Sequence, residues 1–215
     1  MIQVCNQNLS VTLEAFFQKP VAYDRDRFKS IAETALEKYG EFGLRCGQVW
    51  QRQGDQLFDY ELSFSLFNGL GQFRLSAERF SVNLQNARGE RDVQVILECL
   101  VRAAQCVGSN DSCKLNIQAN SHAIFESESQ CNAFFANFAN PSQGIIDGGR
   151  IIFVREEGWV SPVRLTAERS LGFKEGVFLV FSTERTGIAH LETFQQIADT
   201  FGKALQKLDL ELKLE

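Results

Sequence analysis

The stretch LFDYELSFSLFNGLGQFRLSAERFSVNL, residues 57–84, decides how this chain is read. Phe58, Tyr60, Leu62, Phe64 and Leu66 alternate with Asp59, Glu61, Ser63 and Ser65. A period of two is that of a strand with one face in a core and the other in water. Asn68-Gly69 follows, the dipeptide that most readily takes the left-handed angles of a hairpin turn. The return run puts Phe73, Leu75 and Ala77 on one face. After Glu78-Arg79 the phase shifts, and Phe80, Val82 and Leu84 become the inward set. A change of parity requires a bulge or a turn. The Ser-Ala-Glu-Arg element therefore marks the edge of a strand.

Working outward, RLSAER at 74–79 returns as RLTAER at 164–169, with a shorter STER at 182–185. The elements around these echoes also come twice. In the first half, Leu9 to Phe17 alternates as a strand that Pro20 ends. Phe28, Ile31, Ala32, Ala35, Leu36 and Tyr39 form a helical stripe. Asp24 stands as its N-cap, Tyr23 and Phe28 at staple spacing, and Gly40 as its left-handed stop. Strands are expected over Gly47 to Gln53 and through the hairpin, then a helix from Glu90 to Cys106 closed by Gly108. The polar residues 108–112 form a seam. In the second half, Cys113 to Phe125 alternates. Ser127 and Gln130 have capping-box spacing ahead of a stripe of Cys131, Phe134, Phe135 and Phe138, which Asn140-Pro141 ends. Strands are expected over Arg150–Glu156, Trp159–Glu168 and Gly176–Glu184, then a helix from His190 to Lys207. The tail LDLELKLE reads as a closing strand or as the end of that helix.

The expected class is α+β, a duplicated strand–helix–antiparallel sheet–helix unit. One copy spans 1–107 and the other 113–215, packed as one body. The inferred topology resembles the helix-grip and TATA-binding-protein-like pseudo-twofold arrangements, in which curved antiparallel sheets cradle helices. No residue motif of either family is present, so the resemblance implies a layout and no activity. The register of the echo stays open, because GQFRLSAER aligns with GVFLVFSTER about as well as with RLTAER.

The 215 residues are 44% hydrophobic and 23% charged, as in ordinary globular domains. Nineteen phenylalanines against three tyrosines mean rings without polar handles, which belong in a core or an interface. The net charge is −5 and neither half is basic, which argues against nucleic acid as a partner. MIQVCNQNLSV has neither the basic start nor the apolar run of a signal peptide, and no run approaches the ~20 apolar residues of a membrane span. A cytoplasmic location and no membrane partner are expected. The six cysteines include no CxxC pair and read as reduced thiols; a Cys106–Cys113 bridge is the alternative.

Chemistry is sparse. His122, on a polar strand face, and His190, at a helix start, are the only two histidines and read as surface residues. No metal ligand set and no cofactor are expected. GxSxG, GxxxxGK[ST] and GxGxxG are absent. Gly69-Leu70-Gly71 and Asp147-Gly148-Gly149 read as turns. The ligand-binding candidates are Glu78, Glu168 and Glu184 with Arg79, Arg169 and Arg185: a cross-strand ion-pair ladder, or an arginine cluster for an anion. The nearly uncharged back of CNAFFANFAN, with Asn132, Asn137 and Asn140, reads as a helix laid on its own sheet or, as the sharper alternative, as a helix covered on both sides, with Phe134, Phe135 and Phe138 as interface candidates.

Three functions follow in order. The first is a non-catalytic interaction or scaffold protein that binds a protein partner or itself. The second is a binder of a small apolar ligand between curved sheet and helix, which requires a concave apolar pocket. The third is a carboxylate and arginine enzyme, which requires Glu78, Glu168 and Glu184 to converge, buried, in a cleft.

Overall fold

The organising element is a single long strand. In the computed structural model, which describes residues 1–19, 25–53, 60–107, 113–138, 148–155, 161–186 and 191–214, β1 runs from Ile2 to Phe17. It starts seven residues before the alternation at Leu9 announces it. The reason is local. The register slips between Asn6 and Asn8 against one neighbour and between Leu9 and Val11 against the other. The first slip leaves Gln7 as an extra residue on β1 and changes its parity, so Val4 and Asn6 are buried before it, and Leu9, Leu13 and Ala15 after it. The second has its extra residue on the neighbour, where two residues between Leu84 and Ala87 face one between Leu9 and Val11, and the parity of β1 is kept. Asn6 is a polar residue in the core with its amide fully used. Its Nδ2 donates to the carbonyls of Ala87 at 3.0 Å and Arg88 at 3.1 Å, and its Oδ1 accepts from Ser121 at 2.9 Å. Those bonds pin the irregular stretch of β1 to its surroundings.

After β1 come helix α1 (Arg25–Tyr39), β2 (Val49–Gln53), β3 (Tyr60–Leu66), β4 (Gly71–Ser76), β5 (Arg79–Ala87) and α2 (Glu90–Val107). They are followed by β6 (Cys113–Ile124), α3 (Glu128–Ala136), β7 (Arg150–Val154), β8 (Val163–Arg169), β9 (Gly176–Thr186), α4 (Leu191–Gln206) and β10 (Leu210–Lys213). The chain is α+β with one large, mainly antiparallel sheet and four helices among the described residues. The sheet order is β2-β3-β4-β5-β1-β6-β9-β8-β7. β10 pairs in parallel with Ile2–Cys5 of β1, in the lane that β5 leaves empty. The tail is thus a closing strand.

The parity shift at Glu78-Arg79 is a turn. β4 and β5 pair as far as Leu75 opposite Phe80, and Ser76 Oγ bonds the backbone of Arg79 at 3.2 and 3.3 Å. The hairpin at Asn68-Gly69 is larger than a two-residue turn, since Leu66 pairs with Gly71. Phe67, Asn68 and Gly69 all have positive φ, at 50°, 55° and 95°. Gly40 does not cap α1; it opens a short 3-10 turn, and Gly43 at φ 86° supplies the left-handed residue. Ser127 caps α3 as its spacing predicts, with Oγ accepting from the Gln130 amide at 3.2 Å. Asp24, Tyr23, Asn140-Pro141, Asp147 and His190 lie outside the described residues, as do the side chains of Cys106 and Cys113.

All four helices lie on one face of the sheet, where Phe64, Phe73, Phe80, Leu115, Leu165, Leu179 and Phe181 are buried. Phe64 and Phe73 stack at 4.6 Å, and Tyr39 of α1 tilts against Phe64 at 5.4 Å with its hydroxyl on the Cys99 carbonyl at 2.6 Å. Burial of each such ring stabilises the fold by about 1.5–3 kcal/mol. The opposite face, from Trp50 on β2 to Phe153 on β7, is largely Ser, Thr, Asn, Gln, Glu and Arg.

Candidate functional site

On the covered face, α2 and α4 bridge the centre of the sheet without filling the space beneath. Between them and β1, β6, β9 and β10 lies a cavity of ≈ 280 Å³. Its floor is Leu9 and Val11 of β1, Ile117 and Ala119 of β6 and Phe181 of β9. Val93, Ile96, Leu97 and Leu100 form its α2 wall, at the i, i+3, i+4, i+7 spacing that makes one helical stripe. Ile197, Phe201, Gly202 and Leu205 form the α4 wall, and Leu210 and Leu212 of β10 close one end. Ala198, Gln206 and Glu211 also line the cavity and are exposed, so it reaches solvent beside α4 and β10.

Gly202 marks this space. It sits within α4, where glycine costs about 0.5–1 kcal/mol relative to alanine. A Cβ built there would meet nothing within 4 Å. The phenylalanine pair Phe181–Phe201, edge to face at 5.0 Å, holds α4 off the sheet. The polar groups on the lining are the Gln206 amide and the Glu211 carboxylate, both at the open side.

The predicted ligand residues are not brought together. Glu78 is exposed in the turn between β4 and β5. Arg79 opens β5 on the uncovered face, 3.0 Å from Glu14 and 5.9 Å over the Phe16 ring. Arg169 points the other way, into the helix side, 4.7 Å over the Phe135 ring and 3.6 Å from Cys131 Sγ. Arg185 also points to the helix side, and burial lowers its pKa from the usual arginine value. Glu184 is exposed and pairs with Lys114 at 2.9 Å. Glu168 is exposed beside Phe178 of β9, six positions before Glu184, which is roughly 20 Å along a strand. Three exposed, separated carboxylates do not form the cleft that an enzyme of this kind requires.

Phe134 and Phe135 are consumed by the chain's own core, at 3% and 0% exposure. They form an edge-to-face cluster with the half-buried Phe138, and Phe134 also packs on Phe125 at 5.4 Å. The outer surface of α3 is left to residues such as Asn132, Ala133, Ala136 and Asn137, so these rings are not a surface patch. His122 is half-buried, not a surface residue. It packs 4.6 Å from the Phe178 ring, with Nδ1 3.0 Å from Ser170 Oγ. That serine hydroxyl also accepts from the amides of Gly172 and Phe173, so it serves as a turn cap and is poorly placed as a nucleophile. Cys99 is buried, and burial pushes its thiol up to about 12, which keeps it protonated. Among the described residues no group of three His, Cys, Asp or Glu side chains could hold a metal ion, and no helix is long and apolar enough to cross a membrane.

Sequence reasoning raised an apolar pocket between sheet and helix as its second function but assigned it no lining residues. Its walls were legible as apolar stripes, and the one available signal was a glycine inside the apolar periodicity of the last helix. Compared with known proteins, the chain matches no family model, no curated protein and no solved structure.

Proposed function

We propose that this chain is a non-catalytic binding protein that holds a small apolar molecule between α2, α4 and the central strands. The observation that carries the reading is the ≈ 280 Å³ cavity with an almost wholly aliphatic and phenylalanine lining. Volume and lining suit a medium-length alkyl chain or a fused ring pair. Gln206 and Glu211 at the open side favour a ligand whose polar end donates a hydrogen bond. An alcohol or amine satisfies them, whereas a carboxylate would face Glu211 with like charge.

Native mass spectrometry of the purified protein, followed by thermal melts with decanol and decanoate, tests this. Decanol is expected to raise the melting temperature more than decanoate, and Gly202→Phe is expected to remove the shift. No shift from either, or an undiminished shift in Gly202→Phe, sinks the reading.

The same proposal includes the finer fold reading of two copies, 1–107 and 113–215, in the helix-grip or TATA-binding-protein-like manner. It is supported by the strand order, which runs outward from the β1–β6 pair as β5, β4, β3 on one side and β9, β8, β7 on the other. RLSAER starts on β4 and RLTAER on β8, each the second strand out from the central β1–β6 pair. An experimental structure in which the halves fail to superimpose would remove it.

A second reading, self-association, draws on edge strand β7. Its Ile151 and Phe153 are 51% and 66% exposed, and an apolar edge whose one charge is Arg150 at its start is a template for a further strand. Light scattering on the protein and on Phe153→Lys decides it: a monomer in both cases ends the idea.

A further inference from the structure

The uncovered face of the sheet is unlike in its two halves. On β3, β4 and β5 it carries Ser63, Ser65, Gln72, Arg74, Ser81 and Asn83. On β7, β8 and β9 it carries Ile151, Phe153, Thr166, Phe178 and Val180. Two more exposed apolar side chains, Leu171 and Phe173, stand in the turn between β8 and β9 at one end of this patch. All four helices lie on the other face, so none of them covers it. Exposed apolar side chains gathered in this way mark an interaction surface.

The charges within the patch say what fits it. Arg164 and Glu168 are both exposed on β8, two positions either side of Thr166, and among the described residues neither has an ion-pair partner. The strand register arranges the face in three rows. Ile151, Thr166 and Val180 form the middle one, Phe153, Arg164 and Ser182 lie on one side of it, and Glu168, Phe178 and His122 lie on the other.

Two copies laid face to face are related by a twofold axis along β8 or across it. An axis along β8 sets Arg164 against Arg164 and Glu168 against Glu168, which repels. An axis along the middle row reverses the strand direction and exchanges the flanking rows. Arg164 of each copy then meets Glu168 of the other, and the contact occurs twice. Ile151 and Val180 meet their own counterparts, and Leu171 falls near Ser161-Pro162. Sheets packed in this aligned manner stand about 10 Å apart, a gap that an arginine and a glutamate span between them. Four strands from β7 to β6, over the positions from Ser161 to Leu171, give a footprint of roughly 600 Å² a copy. That is at the small end for a specific interface, which fits a reversible dimer.

We infer that a second copy of this chain covers the outer face of β7, β8 and β9, related by the twofold along the middle row. The inference rests on the self-association reading and is independent of the cavity. It sets sheet against sheet, where that reading sets edge against edge.

Sedimentation equilibrium from low to high micromolar concentration tests it. The parent is expected to dimerise. Arg164→Glu and Glu168→Arg each weaken the dimer about tenfold or more, because each reversal brings like charges together at two symmetric contacts. The double variant restores the dimer to within about threefold of the parent, since the exchanged charges again meet their opposites. Ile151→Lys abolishes it, and Arg74→Glu, on the polar half of the same face, leaves it unchanged. Unchanged melting temperatures certify that each variant is folded. A double variant no better than the single ones overturns the inference, because Arg164 and Glu168 would not then meet. Association that ignores both reversals but is lost in Phe153→Lys is edge pairing; it overturns the face-to-face dimer and keeps self-association. A parent that stays monomeric at every concentration overturns both.

Discussion

Replacing Gly202 by alanine is the most direct test of whether the space under α4 is real. Gly202 lies well inside Leu191–Gln206, so its backbone is helical and alanine gains about 0.5–1 kcal/mol in helix propensity. At an ordinary packed helix position that gain would be offset, because the new methyl would press on a neighbour. Here a Cβ meets nothing within 4 Å, so no opposing strain arises. Any contact the methyl makes with the apolar lining adds to the gain. A net stabilisation of about 1 kcal/mol raises the melting temperature of a chain this size by about 2–4 °C. Urea unfolding should show a higher midpoint at unchanged slope, the sign of a change in stability alone. Gly202→Phe carries the same logic further, placing a ring in the ≈ 280 Å³ cavity and excluding an apolar guest. A lower midpoint for Gly202→Ala would refute the reasoning, because it would mean that the methyl strikes something and the space is already filled.

Cys99 gives a pH signature. Burial raises its thiol from 9.0 to about 12, so between those values the folded chain keeps a proton that the unfolded chain releases. Stability therefore falls as pH rises through this window, by up to about 1.4 kcal/mol per pH unit. Urea midpoints at pH 8 and pH 10.5 should fall less in Cys99→Ala than in the parent; equal falls would contradict it. Thiol titration of the native protein should label the exposed Cys5 and Cys46 rapidly, and Cys99 and Cys131 only on unfolding. Arg79→Ala removes an exposed ion pair with Glu14 and should cost under about 1 kcal/mol, less in high salt. A larger loss by urea unfolding would show that this pair matters to the fold.

The legible parts of the fold are those where a local pattern has one meaning. The alternation of Leu62, Phe64 and Leu66 against Glu61, Ser63 and Ser65 has only one solution, and β3 is where it predicts. The parity shift at Glu78-Arg79 also has a local cause, the turn that Ser76 closes. β1 was half hidden because the extra residue Gln7 breaks the alternation by which a strand is recognised. β10 stayed ambiguous because LDLELKLE fits a strand and a fraying helix equally. Only its parallel pairing with Ile2–Cys5, more than two hundred positions away, decides it. The site was less legible. The Glu-Arg ends of RLSAER and RLTAER diverge: Arg79 follows a turn and faces water, whereas Arg169 continues a strand and faces the core. The leading Arg74 and Arg164 both face outward. That was available from alternation alone, since each precedes a leucine of the buried set.

The cavity itself has a cause in residue size. Cores fill when large side chains on one layer meet small ones on the other. Under α4 the sheet offers Ala119 on β6, and the helix offers Gly202 to the same space, so small meets small. The neighbouring pair Phe181 and Phe201 is large on both layers and keeps the helix from settling into the gap. A closed, dry void costs about 24 cal/mol per Å³, and on that scale ≈ 280 Å³ is roughly 7 kcal/mol, comparable to the whole stability of an ordinary domain. Because the cavity reaches solvent beside Gln206 and Glu211, only part of that penalty falls on the fold. Water recovers little of the rest, since an aliphatic lining gives it few hydrogen-bond partners. An apolar guest restores the contacts the lining lacks and recovers the penalty as binding free energy. The arrangement that weakens this core is therefore the one that gives it affinity.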